Sequence, residues 1–387
     1  MKNISKLLLL FLLLELLCGL SCTKSGLKES ERILIRDTER FNRDYGSKGV
    51  IIKNKKIDWG DRLRFKGLIL KDSLIENVEL RAVDLSNMYM ENSAVENVFL
   101  KGMADLSGST FKNVKFKNLK FENNIGDSSA FNRLNDSTFI DCEFINCDFN
   151  YDVKLGKEYI NCKFEKCKIT KDYEGKFENV IFEKCFISSE LKMKDSKNVQ
   201  LINCVLGYFR ISGKADGILI QNAKTDLEYS KEWHFEEGTF SNVTIIDCKK
   251  DPIMEFNKVN LNNILIKNII VSHFKFDETN MTGDNKIEKS EIFGNFYGRS
   301  KIRNLTIKDC QFYFYVDVAF SELIGLKLIS NTYKILGNDS YYPGEVRHAV
   351  IGEKFIDSDR FPLKSTPFPE DSYYVQEYYK DIKKTSK

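Results

Sequence analysis

Ten cysteines and only three histidines are the residues of this chain best suited to chemistry. Cys142, Cys147, Cys162, Cys167, Cys185, Cys204 and Cys310 each stand two positions before a large apolar residue or its equivalent. Thiols in such numbers could close disulfides or hold zinc. Four residues separate Cys142 from Cys147 and Cys162 from Cys167, with no histidine in phase, so zinc is not expected. His234, His273 and His348 stand apart from one another and from every cysteine. No glycine-rich phosphate loop, nucleophile elbow or His-Glu-x-x-His helix is present. The expectation is therefore no catalytic residue, no cofactor and no metal.

What places these cysteines is a beat of five. In Phe139–Phe149 a large apolar residue returns at Phe139, Phe144 and Phe149, with Cys142 and Cys147 two before the second and third. A helix would bring apolar residues back at three and four, a strand at two. Residues two apart share one face of an extended chain, so Cys142 points the way Phe144 points. Cys147 follows three later and stays inside only if the chain turns a corner. Repeated, this is a coil of strands and corners wound around its own core. The beat runs through Phe65, Leu70, Ile75, Leu80, Leu85, Met90, Val95 and Leu100, slips by one residue, and resumes at Leu106, Phe111, Phe116 and Phe121.

The run Ala104-Asp105-Leu106-Ser107-Gly108-Ser109-Thr110-Phe111 resembles the pentapeptide-repeat signature. The resemblance implies an all-β fold: a right-handed, four-sided (quadrilateral) parallel β-helix solenoid with four pentapeptides per coil. On that reading cysteines twenty apart, Cys142 with Cys162 and Cys147 with Cys167, stack on neighbouring coils. One or two bridges could form there; packing as compact hydrophobes is the reading adopted. The signal weakens but continues through Val243/Ile245, Ile264/Ile266, Phe274/Phe276 and Leu305/Ile307. Loops are expected at Asn124–Asn135, Asp152–Tyr159, Asp172–Lys176, Thr225–Glu237 and Gly283–Ser300.

The ends read differently. Lys2 and Lys6 precede an apolar run from Leu7 to Leu17, interrupted by Glu15 and too short to anchor as a span. Gly19 and Ser21 then lead into Cys22, similar to a loose bacterial lipoprotein box of the spirochaete kind, which implies lipidation (palmitate) at Cys22. Residues 1–21 are thus expected to be a lipoprotein signal peptide, with plain secretion as the alternative. Residues 22–49 form a lipidated tether with a short N-terminal helix over Glu29–Asp44 that would cover the first coil. Residues 50–330 make the β-helix and 331–387 a C-terminal cap, rich in proline and paired tyrosines. Phe293, Phe296, Tyr297, Tyr313, Phe314 and Tyr315 crowd the last coils, to be covered by that cap or left as a binding patch.

Function follows only in outline. The net charge of +3 offers no field for nucleic acid, and most charges fall at outward positions of the beat. The expected protein is a non-enzymatic scaffold at the bacterial cell envelope, lipid-anchored to the membrane, outer membrane or cell surface, with a protein or glycan partner. The alternative is a glycan-binding or glycan-cleaving β-helix enzyme. A nucleic-acid-mimic inhibitor, a role the resemblance also allows, would want an acidic surface and a cytoplasmic home.

Overall fold

The computed structural model describes residues 49–357, except 50, 102–103, 123–131, 150–152, 155, 171, 227–231, 250–251, 293–295, 313–321, 325–326, 334–349 and 352–355. Cys22, the helix expected at Glu29–Asp44, His348 and most of the C-terminal cap lie outside the described residues. Every described element is a strand, and the fold is an all-β parallel solenoid. The chain divides into two compact units, residues 1–189 and 190–387.

In the first unit one coil consists of four short strands, Thr138–Ile140, Glu143–Ile145, Asp148–Phe149 and Val153–Lys154. The next coil lies on it in parallel register, pairing Tyr159 with Phe139, Phe164 with Phe144 and Ile169 with Phe149. This is the four-sided coil that the resemblance implies. In-register stacking puts like on like. Phe111, Phe139, Tyr159 and Phe177 form one column with ring centroids 4.9, 5.0 and 5.5 Å apart. Phe116, Phe144, Phe164 and Phe182 form a second at 4.9, 4.5 and 4.8 Å. The columns meet edge to face, Phe139 against Phe144 at 5.3 Å. Each buried ring contributes about 1.5–3 kcal/mol by leaving water, and each offset pair roughly 0.5–1.5 kcal/mol more.

The corners explain the rest of the five-residue unit. The residue before each small inward position is left-handed: Asp141 at φ 54°, Asn146 at 52° and Asn161 at 52°. Asparagine tolerates that conformation better than any other residue with a side chain except its acid. Its amide is also used. Asn146 donates to Asn118 at 2.7 Å, Asn118 to Asn97 at 2.6 Å, Asn97 to Asn77 and Asn77 to Asn54, each at 2.9 Å. Asn146→Ala should lower unfolding stability by about 1–2 kcal/mol from the left-handed backbone alone. Asn146→Gly keeps the backbone and loses only the amide bond, so urea melts of the two variants should separate, glycine above alanine. Coincident melts would mean that the amide ladder, and not the backbone, sets the corner.

The second unit keeps the stack on longer strands that run through their corners, including Phe209–Gln221, Glu232–Ile246, Ile253–Lys267 and His273–Thr282. Inside, Phe235, Phe256 and Phe276 stack at 4.9 and 5.0 Å. Ile220, Ile245, Ile266, Ile287 and Ile307 form another column. The ladder passes residue 330: Thr332–Tyr333, Val350–Ile351 and Ile356–Asp357 each pair with the coil before.

Several expected loops are coil instead. Tyr159 sits in the strand Glu158–Ile160, 1 % exposed, and its hydroxyl accepts a bond from the Gly156 N–H at 3.0 Å. Asp172–Lys176 leads into the strand Tyr173–Glu183 with Tyr173 buried. Glu232 onward opens a strand in which Trp233, His234 and Phe235 are all buried. Gly283–Ser300 contains Asn285–Glu288 and Glu291–Ile292 and the start of Phe296–Arg303. Here polar residues occupy inward positions, hiding the beat. Asn285 accepts from Ile264 N–H at 3.2 Å and donates to the Thr282 and Arg303 carbonyls at 3.1 and 3.0 Å.

Candidate functional site

The cysteines are structural. All eight thiols from Cys142 to Cys310 are buried and unbridged, so the stacked pairs Cys142/Cys162 and Cys147/Cys167 carry no disulfide. Each is more than a compact hydrophobe. The Cys142 thiol donates to the Ile140 carbonyl at 3.3 Å and to the Phe111 carbonyl of the preceding coil at 3.4 Å. Ser73 and Ser93 do the same at their corners, to Lys71 and Glu91 carbonyls at 2.8 and 2.7 Å. The position selects a small donor. Cys248 occupies it too, bonded to the Ile246 carbonyl at 3.3 Å. No apolar residue follows Cys248 at the expected place, so the spacing does not reveal it.

Burial pushes the Cys248 thiol up to about 12 and the Cys310 thiol to about 11, from an ordinary 9.0. The thiolate is the nucleophile, so iodoacetamide at pH 8 should leave these thiols unlabelled in the folded chain and label all eight in urea, read by peptide mass spectrometry. Linkage gives the sign for pH. A raised folded value means that the folded state keeps protons the unfolded chain loses, so stability is intact below about 9 and falls between about 9 and 12. Rapid labelling of Cys248 in the folded protein would contradict its placement.

The cluster with chemical variety lies on the outer surface of the second unit. Register aligns Glu190 with Arg210, Arg210 with His234, His234 with Glu255, and Glu255 with Lys275. Alternation along Glu232–Ile246 turns Trp233 and Phe235 inward and His234 outward, yet His234 is only 7 % exposed. Its neighbours enclose it. Nε2 lies 3.2 Å from Glu232, and Nδ1 lies 3.3 Å from Glu236 and 3.5 Å from Glu255. The Tyr208 ring centroid is 5.5 Å from the imidazole. Arg210 lies beside the same tyrosine, its Cζ 5.3 Å from the ring centroid, and donates to the Tyr208 hydroxyl. Arg210 also approaches Glu236 at 3.2 Å, and Lys275 reaches Glu255 at 3.6 Å. The Ser212 hydroxyl donates to Glu190. Burial works against the Arg210 charge, but Glu236, Tyr208 and Glu190 outweigh it and hold the guanidinium above its ordinary range.

Two features single this patch out. Tyr208 is 39 % exposed, and among the described residues only Phe99 is another large apolar side chain so open. Beside it, Nδ1 of His234 and Nε of Arg210 are buried without an aligned hydrogen bond. Their carboxylate neighbours are close enough but lie off the bonding direction. A buried polar atom left so costs about 1–3 kcal/mol.

Neither His234 nor its partners were separable in sequence from an ordinary solvated face. His273 lies on the same surface, two coils beyond Glu232, with Nδ1 also lacking a bond. Of the aromatics crowding the last coils, Phe296 and Tyr297 lie in the strand Phe296–Arg303; the side-chain placement of all six lies outside the described residues. Among the described residues no group of His, Cys, Asp and Glu is arranged to hold a metal ion, and no helix is long and apolar enough to cross a membrane.

The class defined by fold and surface is a parallel β-solenoid with five-residue sides and a mixed-charge aromatic patch. No family model matches the chain, and no curated protein matches its sequence. Solved structures match over most of its length. The A-module of a mannuronan C-5 epimerase from Azotobacter vinelandii shares 11 % identity over 85 % of this chain and 97 % of that one, with a TM-score of 0.29. The surface adhesin PfbA of Streptococcus pneumoniae shares 10 % over 84 % and 91 %, TM-score 0.30. The pentapeptide-repeat protein HetL of the cyanobacterium Nostoc shares 9 % over 84 % and 98 %, TM-score 0.20. At such identities and scores these proteins carry no argument about the patch.

Proposed function

We propose that this chain is a non-enzymatic binding scaffold of the bacterial envelope, tethered by lipid on Cys22, with the Tyr208 surface as a contact site. The observation that supports it most is the register Glu190–Arg210–His234–Glu255–Lys275. Five side chains from successive coils are held by a packed core, with His234 enclosed among them, so a partner meets the outer four without having to order them first. The lipid supplies location, since each buried methylene contributes about 0.8 kcal/mol and two chains anchor durably. Palmitate should label the wild type, and Cys22→Ala should abolish both the label and retention in the membrane fraction. A labelled Cys22→Ala variant would overturn the tether.

A glycan-cleaving enzyme is the second reading, and one observation favours it: a histidine among carboxylates beside a tyrosine is a serviceable acid–base set. The enclosure of His234 favours the scaffold reading over this one. Both ring nitrogens of His234 face carboxylates, and the ring is nine-tenths enclosed. Incubation with oligosaccharides should therefore yield no shortened products by mass spectrometry. Products that vanish in His234→Gln would establish the enzyme instead.

A further inference from the structure

We infer that residues 372–384 of this chain dock as an amphipathic helix on one outer face of the second unit, against Ile202, Leu219, Ile246 and Leu265. Parallel register sets Gln200, Leu219, Thr244 and Leu265 in one lane, with Ile202, Gln221 and Ile246 in the lane beside it. These seven residues alternate with buried neighbours and so face outward; all are half-buried and uncharged. Charge returns in the next positions of both lanes, at Lys267, Lys286 and Glu288. The uncharged strip is therefore bounded, and from Gln200 to Leu265 it spans about 14 Å at 4.7–4.9 Å per strand.

Branched residues suit the outside of any sheet, and the path of the chain is what names an occupant here. The lane of Leu265 continues through Lys286, Thr306 and Lys327 to Ile356. The described chain thus ends on the face that carries the strip, four coils from Leu265 and seven from Gln200. Seven strand spacings are about 34 Å, and residues 358–371 reach roughly 45 Å when extended. Pro362, Pro367 and Pro369 favour that extended form. Beyond them Tyr374, Val375, Tyr378 and Ile382 recur at steps of one, three and four, which sets them on one side of a helix. Glu377, Lys380, Lys383 and Lys384 fall on the other side. From Tyr374 to Ile382 such a helix rises about 12 Å, close to the length of the strip, and a helix laid on a sheet buries both apolar faces at once.

The test places the photocrosslinking residue benzoylphenylalanine at Tyr378 in the full chain, in detergent. After irradiation, peptide mass spectrometry should join that position to peptides containing Leu219, Ile246 or Leu265, in the monomer band and at a yield independent of protein concentration. Ile246→Glu combined with Leu265→Glu puts carboxylates into the strip beside Lys267 and Lys286 and leaves the core alone. This variant should lower the yield at least tenfold and speed amide hydrogen exchange over residues 372–384 at least tenfold, while circular dichroism shows it folded. Adducts confined to the last coils would mean that the segment covers the end of the solenoid, and adducts found only in a dimer band would make a second copy the occupant. Either result, or a yield and exchange rate unchanged in the double variant, would overturn the inference.

Discussion

Phe144→Ala should cost about 3–5 kcal/mol of folding stability, the range for removing a large buried aromatic side chain. The ring is 2 % exposed and stacks between Phe116 at 4.9 Å and Phe164 at 4.5 Å. It also meets Phe139 and Phe149 edge-on at 5.3 and 5.8 Å. With Tyr159 at 6.5 Å, five aromatic neighbours therefore lose a partner at once. The surrounding coils cannot collapse into the space, because each is pinned to the next by a parallel ladder. Its chain neighbour provides the control. The Glu143 side chain is 53 % exposed and pairs with Lys115 at 3.5 Å, a surface pair worth about 0–1 kcal/mol. Glu143→Ala should melt within that margin of the wild type in urea. Equal losses in the two variants would mean that the inward register is wrong.

Gly213→Ala should be comparably severe, at roughly 2–6 kcal/mol, and for two separable reasons. Gly213 sits at φ 90°, where a residue with a side chain incurs about 1–3 kcal/mol of strain. An added methyl would also overlap the Met193 carbonyl oxygen of the neighbouring coil, and overpacking a fixed backbone adds about 1–3 kcal/mol. Across the next coil Gly213 pairs with Gly238, whose own Cβ would overlap the Gly213 carbonyl. The coils approach closely here because both positions lack side chains. Gly67 separates the two causes, since it has φ 74° but nothing within 4 Å of an added Cβ. Gly67→Ala should show the backbone strain alone. If Gly213→Ala and Gly67→Ala lose the same stability, the close approach to Met193 contributes nothing.

The five-residue beat was readable wherever the inward residue was apolar. Phe139, Phe144, Phe164 and Phe182 announce the core because burial selects their type directly. It was unreadable where an inward polar residue satisfies the ladder. Asn285 and Ser290 are 0 and 1 % exposed, yet each belongs to a stretch whose composition suggests a loop. Cys248, followed by lysines, escaped for the same reason. Asparagine at the corners was visible as a residue type but not as a stack, because its role needs a partner one coil away.

The candidate surface shows the deeper division. By itself the sequence determined that this chain winds a β-solenoid around paired inward side chains, since the inward spacing is set by local backbone geometry and repeats at every side. It could not say which outward residues meet. Arg210, His234, Glu255 and Lys275 come together only because their coils stack in register, and coils differ in length by the residues each one adds between its sides. The tertiary structure alone decided that His234 comes up against Tyr208 and Arg210, because contacts between coils depend on those summed lengths and not on any local pattern.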